Sequence, residues 1–188
     1  MATTKVDLAS RALNLLGEKA ITSFDEATAP AAVASSLYET VIGAALSCHR
    51  WRFASKVVEL AKLDETPGDE SSWVYIDQLP ADLIVIHHID AGHKYEIYRK
   101  KLNSNSTPVN LDYGYRPDEE DWPAYFTKFI LYQLAADFCI AVTESTTKLE
   151  NYVLLADNEL KRARAIDSHQ RPSIGIIDEA GLIRRRFS

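Results

Sequence analysis

The sequence predicts a mainly α fold of the α+β class. It reads as a four-helix bundle with a small antiparallel β region inserted between the second and third helices, plus an extended C-terminal arm. Three observations carry this reading. Apolar residues recur at three- and four-residue spacing in two N-terminal segments and in two more after residue 118. Between them the pattern changes to short runs of β-branched and aromatic residues cut by turn signals. Near the end, Pro172 stops helical continuation and holds Arg171 in extended backbone. Residues 1–50 and 118–168 therefore form the bundle, 51–117 the inserted β region, and 169–188 the arm.

The first helix covers residues 4–16. Val6, Ala9, Leu13 and Leu16 share a face, Thr4 caps the start, and Gly17 supplies a left-handed stop. A turn follows at 21–26, and Pro30 in a first helical turn opens the second helix, residues 30–48. Its inward face is Val33, Leu37, Val41, Ala44, Ala45 and Cys48. Residues 57–63 are β-prone, 64–72 form a loop, 73–76 a short strand, and Leu79-Pro80 breaks it. Residues 83–89 are the strongest strand, and 94–98 alternate with period two after a hairpin loop at 90–93. A last short strand occupies 109–113, beyond the polar stretch 103–107.

Asp118, Glu119, Glu120 and Asp121 then place negative charge at the positive end of the third helix, which Trp122-Pro123 opens. Phe126, Ile130, Leu134, Phe138 and Val142 repeat every fourth residue, with Phe129, Leu131, Ala135 and Cys139 widening the stripe. A helix that apolar belongs at the centre of a bundle. Thr147 and Glu150 form a capping box for the fourth helix, which runs to about residue 165 on Leu149, Tyr152, Val153, Ala156, Leu160 and Ala163.

The chain has 188 residues, one domain's worth, and enough surface to bury a core without staples. No apolar run suggests a membrane span, and the first residues lack the apolar stretch of a signal peptide. Cys48 and Cys139 lie among apolar neighbours and read as buried free thiols. The net charge is −6, unevenly spread. Residues 161–188 hold seven Lys and Arg against three Asp and Glu, a net +4, which leaves −10 for residues 1–160. Such an acidic body is a poor nucleic-acid binder.

Motifs for chemistry are scarce. His87, His88 and His93 cluster in sequence, but adjacent strand residues face opposite ways and cannot easily share an ion. The run 118–121 lacks the glycine of a calcium loop, the seven glycines are scattered singly, and neither cysteine nor any serine sits in a nucleophile motif. The expectation is no catalytic residue, no metal and no cofactor. Trp51, Trp73 and Trp122 read as core anchors where helices meet strands.

Several short motifs in order do resemble a known family. They are Ala12-Leu13-Asn14-Leu15-Leu16-Gly17-Glu18, Ile21-Thr22-Ser23-Phe24-Asp25, and alanines leading to Tyr38-Glu39. Cys48-His49-Arg50-Trp51-Arg52-Phe53-Ala54 follows, then Trp73-Val74-Tyr75-Ile76 and Leu79-Pro80-Ala81-Asp82-Leu83. Tyr115, Trp122-Pro123-Ala124-Tyr125-Phe126 and Leu134-Ala135-Ala136 complete the set. Over residues 6–165 the chain resembles the phage tail tubular protein A family, the head-to-tail adaptors of short-tailed bacteriophages. The resemblance implies a structural virion protein made in the host bacterial cytoplasm. It further implies a homo-oligomeric ring, commonly of twelve copies, between the portal protein and the tail nozzle protein, with genomic DNA passing through the lumen and no membrane partner. The family supplies no catalytic residues. An acidic channel wall suits this role, because it lets phosphate slide. Two rivals stand beside it: a virion-associated cell-wall hydrolase, and a monomeric helical interaction module.

The arm matches no family. Ile174, Ile176 and Ile177, then Leu182, Ile183, Arg184, Arg185, Arg186 and Phe187, form two β-prone segments around Asp178-Glu179-Ala180-Gly181. So much aliphatic surface is an aggregation hazard if left exposed. The arm is therefore expected to dock by strand addition on a neighbouring subunit or the portal, its arginines pairing with acidic groups. DNA contact by Arg184 to Arg186 ranks below that use.

Overall fold

The computed structural model describes residues 4–65, 72–90 and 94–170. Four helices, α1 (Lys5–Leu16), α2 (Ala29–Ser47), α3 (Ala124–Thr143) and α4 (Thr146–His169), enclose one core. Local chemistry explains their ends. Asp7 N–H donates to Thr4 Oγ1 (3.1 Å) and Thr4 N–H to Asp7 Oδ2 (3.2 Å), a reciprocal cap on α1. Gly17 at φ 91° turns the chain out, a backbone state that would strain any residue with a Cβ. Helix α4 begins two residues earlier than expected: Ser145, not Thr147, accepts from Lys148 N–H, and the helix runs on to His169.

Helix α3 buries Phe126, Phe129, Ile130, Leu134, Ala135, Phe138 and Cys139, close to the expected stripe. Helix α2 is rotated from its expected face. It buries Ala31, Ala34, Tyr38, Val41, Ile42, Ala45 and Leu46, while Ala44 and Cys48 are exposed. Alanines let the backbones approach closely, so α2 turns its small residues inward and leaves Val33 and Leu37 half-buried. Both α2 and α3, at mean hydropathy 1.2 and 1.3, are long and apolar enough to cross a bilayer on length and composition, contrary to the reading by apolar runs. In this fold they pack against each other within the helical core.

The β part corrects the expected fold class. It is not a small inserted region of a helical bundle but seven strands in two antiparallel sheets. The strands are β1 (Ser55–Glu59), β2 (Ala61–Lys62), β3 (Tyr75–Gln78), β4 (Leu83–Asp90), β5 (Tyr95–Tyr98), β6 (Lys101–Ser104) and β7 (Asn110–Tyr115). One sheet has the order β1-β7-β4 and the other β2-β3-β6-β5. The chain passes between sheets repeatedly, and buried Leu60, Leu79 and Val109 sit at the crossings. With Ile89, Leu102, Leu111 and Tyr113 they make the sheets' own core.

The expected hairpin between 83–89 and 94–98 is absent. β4 pairs with β7, and β5 pairs with β6, which takes in Asn103 and Ser104 of the polar stretch 103–107. Tyr98 faces Lys101 across a two-residue turn of Arg99 (φ 47°) and Lys100 (φ 64°). Both sit in the left-handed region without the Asn-Gly signature that announces such turns. In β7, Gly114 permits a close approach: a Cβ there would lie 2.8 Å from Val85 Cγ1 and 3.2 Å from His87 Nε2.

Candidate functional site

Two surfaces merit description: the junction of helices with the three-stranded sheet, and the β5–β6 hairpin.

The junction is built on Asp167, in the last turns of α4 and 1% exposed. Its carboxylate accepts from Arg52 N–H (3.1 Å) and Tyr125 OH (2.9 Å), and His49 Nε2 lies 3.4 Å away. Arg52 Nε returns a bond to the Asp167 carbonyl (2.9 Å), and Arg164 Nη2 donates to the Cys48 carbonyl (2.7 Å). The residues after α2 are thus tied to the end of α4. Packed beside them, Trp51 meets Phe126 (4.9 Å between centroids) and His49 (4.7 Å), and Trp122 meets Phe126 (5.1 Å). Trp51 and Trp122 are core anchors at the join, as expected. Trp73 is not: it lies before β3, its Nε1 donating to Glu96 (2.8 Å).

Titratable groups at this junction are perturbed by burial. His49 is held below the ordinary histidine range, first by burial and then by Arg164 and Arg52, against the pull of Asp167. His87, on β4, is lowered by burial too, with Asp112 opposing and Arg50 and His49 adding to the shift. Arg50 pairs with Asp112 on β7. Tyr125 sits above the ordinary phenol range because burial and its bond to Asp167 disfavour the phenolate. Sequence reasoning grouped His87 with His88 and His93; the fold instead couples His87 to His49. His88 is exposed, and His93 lies outside the described residues. Proximity in sequence was the wrong signal, because only strand pairing brings β4 beside the end of α2. Among the described residues no three His, Cys, Asp or Glu side chains converge as a metal requires.

A second buried network joins the two chain halves. Tyr38 OH donates to Glu119 (3.0 Å), and Arg116 pairs with both Glu119 and Glu39. Of the acidic run, Glu119 is therefore internal, within a short 3₁₀ turn (Glu119–Asp121), and Pro123 caps α3. Charge at the helix end does not account for Glu119. Asp77 on β3 is 2% exposed, and burial raises its carboxyl above the ordinary range. A carboxyl so sealed cannot meet a substrate in this conformation. Cys139 is buried, but Cys48 is exposed and lines a pocket of about 310 Å³ with Val41, Phe129, Asp137 and Leu160.

The hairpin has a different character. All four residues of β5 are exposed, and Arg99, Lys100 and Lys94 surround them. The expected arm residues, Ile174, Ile176, Ile177, Leu182, Ile183, Arg184, Arg185, Arg186 and Phe187, lie outside the described residues.

No protein-family model matches this chain, and no curated protein is detectably similar to it.

Proposed function

We propose that this chain is a structural adaptor that assembles as a ring between a phage portal and a tail nozzle, with DNA passing through the lumen. The observation that carries the reading is the order of the shared motifs. Its support in three dimensions is that these motifs make the joints of the fold. Cys48 to Ala54 forms the helix–sheet junction, Leu79 to Leu83 makes a crossing between sheets, and Trp122 to Phe126 opens α3 against Trp51. The acidic body, −10 over residues 1–160, favours passage of DNA over its retention.

The isolated chain is monomeric or weakly associated, because the four helices share one internal core, although α4 exposes Val153, Leu154 and Leu155, and rings form mainly on the portal. The arm, residues 171–188, serves as a tether by strand addition to a neighbour or to the portal. Electron microscopy of the protein mixed with a cognate portal tests the reading: a collar of copies on the portal's tail-facing end is the expected image. A protein that stays monomeric and never sediments with portal overturns it. A chain ending at Gln170 tests the tether separately, since unchanged portal affinity removes the arm from the account.

A further inference from the structure

Among the described residues, the four-stranded sheet has two unpaired edges, flanked by side chains of opposite net charge. At one, β5 presents Tyr95 (46% exposed), Ile97 (44%) and Tyr98 (57%) together with the backbone groups not used by β6. An exposed apolar edge strand is a template for another strand. Beside β5 stand Lys94, Arg99 and Lys100 against Glu96, a net +2; Lys101, on β6, is paired within the chain to Glu65. At the other edge, Glu59 and Asp64 stand against Lys62, a net −1, while Glu65 is paired within the chain to Lys101. Glu59, Asp64 and Glu65 are exposed.

Topology decides how such edges can meet. The sheet has four strands, each antiparallel to the next, so β2 and β5 run in opposite directions. A second copy translated head to tail, in the same orientation, brings its β2 antiparallel to β5 of the first. The alternation of strands then continues unbroken. A two-fold pairing of β5 with β5 is also antiparallel, but it sets Lys94, Arg99 and Lys100 against their own copies and is repelled. We propose that the β5 edge of one copy pairs with the β2 edge of the next, so that the four-stranded sheets run on from subunit to subunit. Head-to-tail contacts of this kind close into rings when the rotation between copies permits. The proposal rests on the ring reading above and names the contact that builds the ring.

The test uses the full chain with Cys48→Ser, adding Ala61→Cys on β2, Tyr95→Cys on β5, or both, and a short bismaleimide at high protein concentration. The doubly substituted chain is expected to give a ladder of covalent oligomers. Each single variant is expected to give no dimer, and a mixture of the two singles a dimer and nothing larger. Lys94→Glu with Lys100→Glu is expected to lower the ladder yield at least about tenfold, and adding Glu59→Lys with Asp64→Lys to restore it. Crosslinking by Tyr95→Cys alone, or an unchanged yield after charge reversal, overturns the head-to-tail edge. Rings visible by microscopy without a ladder overturn the edge and leave the ring standing. Absence of any association up to the solubility limit, with portal or without, overturns both.

Discussion

The helical core and the four-stranded sheet solve opposite problems. The core draws on all four helices, runs from Leu8 to Ala163, and seals Trp51, Tyr38, Phe126 and Phe138 almost completely. The sheet buries Ile76 and Leu102 but leaves a whole edge strand exposed, with basic side chains about it. The helices share one closed core, although α4 still exposes Val153, Leu154 and Leu155; the sheet leaves an entire edge strand open, which the proposed contact would cover. The difference teaches where stability and assembly are divided. Changes in the core are expected to act on unfolding, and changes at β5 on association.

The strongest way to break this comparison is at the centre of α3. Phe138→Ala is expected to cost about 3–5 kcal/mol, since the ring is fully buried on the most apolar helix. That is a large part of a domain's stability. Denaturant unfolding checks it, and an unchanged midpoint would mean that the core does not hold the molecule together. Leu102→Ala, equally sealed but in the smaller sheet core, is expected to cost about 2–3 kcal/mol, because a thin core collapses onto the gap more readily. A larger loss than for Phe138→Ala would invert the ranking of the two regions.

Next comes the joint between them. Asp167→Asn keeps the shape but removes the charge that Arg52 and His49 face, and is expected to cost about 1–3 kcal/mol. Thermal melts of the variant measure it, and a loss below a few tenths would reduce Asp167 to a spacer. At the hairpin the sign reverses. Arg99→Asn with Lys100→Gly relieves two left-handed residues and is expected to stabilise the fold by about 1 kcal/mol while weakening association. Stabilisation with unchanged association would separate the turn's strain from any partner role.

The smallest effect is pH dependence, because His49 and His87 are partly open to solvent screening. Both are held below the ordinary value of 6.5, so the unfolded chain takes up protons that the folded chain refuses. Their contribution is complete above that value and is lost as pH falls through it toward the lower folded values. Asp77 acts in the opposite sense: its stabilisation is full below 3.8 and disappears as pH rises through its raised folded value. The melting temperature of the native chain is therefore expected to fall more, between about pH 7 and about pH 5.5, than that of His49→Gln with His87→Gln, in which Asp77 is unchanged. Parallel profiles would remove the two histidines from the junction's energetics.

The sequence by itself determined the helices, because their information is local. Thr4, Gly17, Pro30 and the four-residue rhythm of Phe126 to Phe138 act within one or two turns. Composition also determined the acidic body and the basic arm. The strands were legible where they alternate, but which strand meets which was not. Asp90 to His93 invited a hairpin, yet β4 joins β7. Residues 103–107 read only as a polar stretch, yet Asn103 and Ser104 complete β6. Strand pairing is a contest between distant segments, settled by burying Leu60, Leu79 and Val109 at the crossings. Only the tertiary structure could decide that His49 and His87 share an environment, that Glu119 lies inside, and that Cys48 faces out. Each of those depends on what the rest of the chain places against the residue, and a helical or strand period carries no record of it.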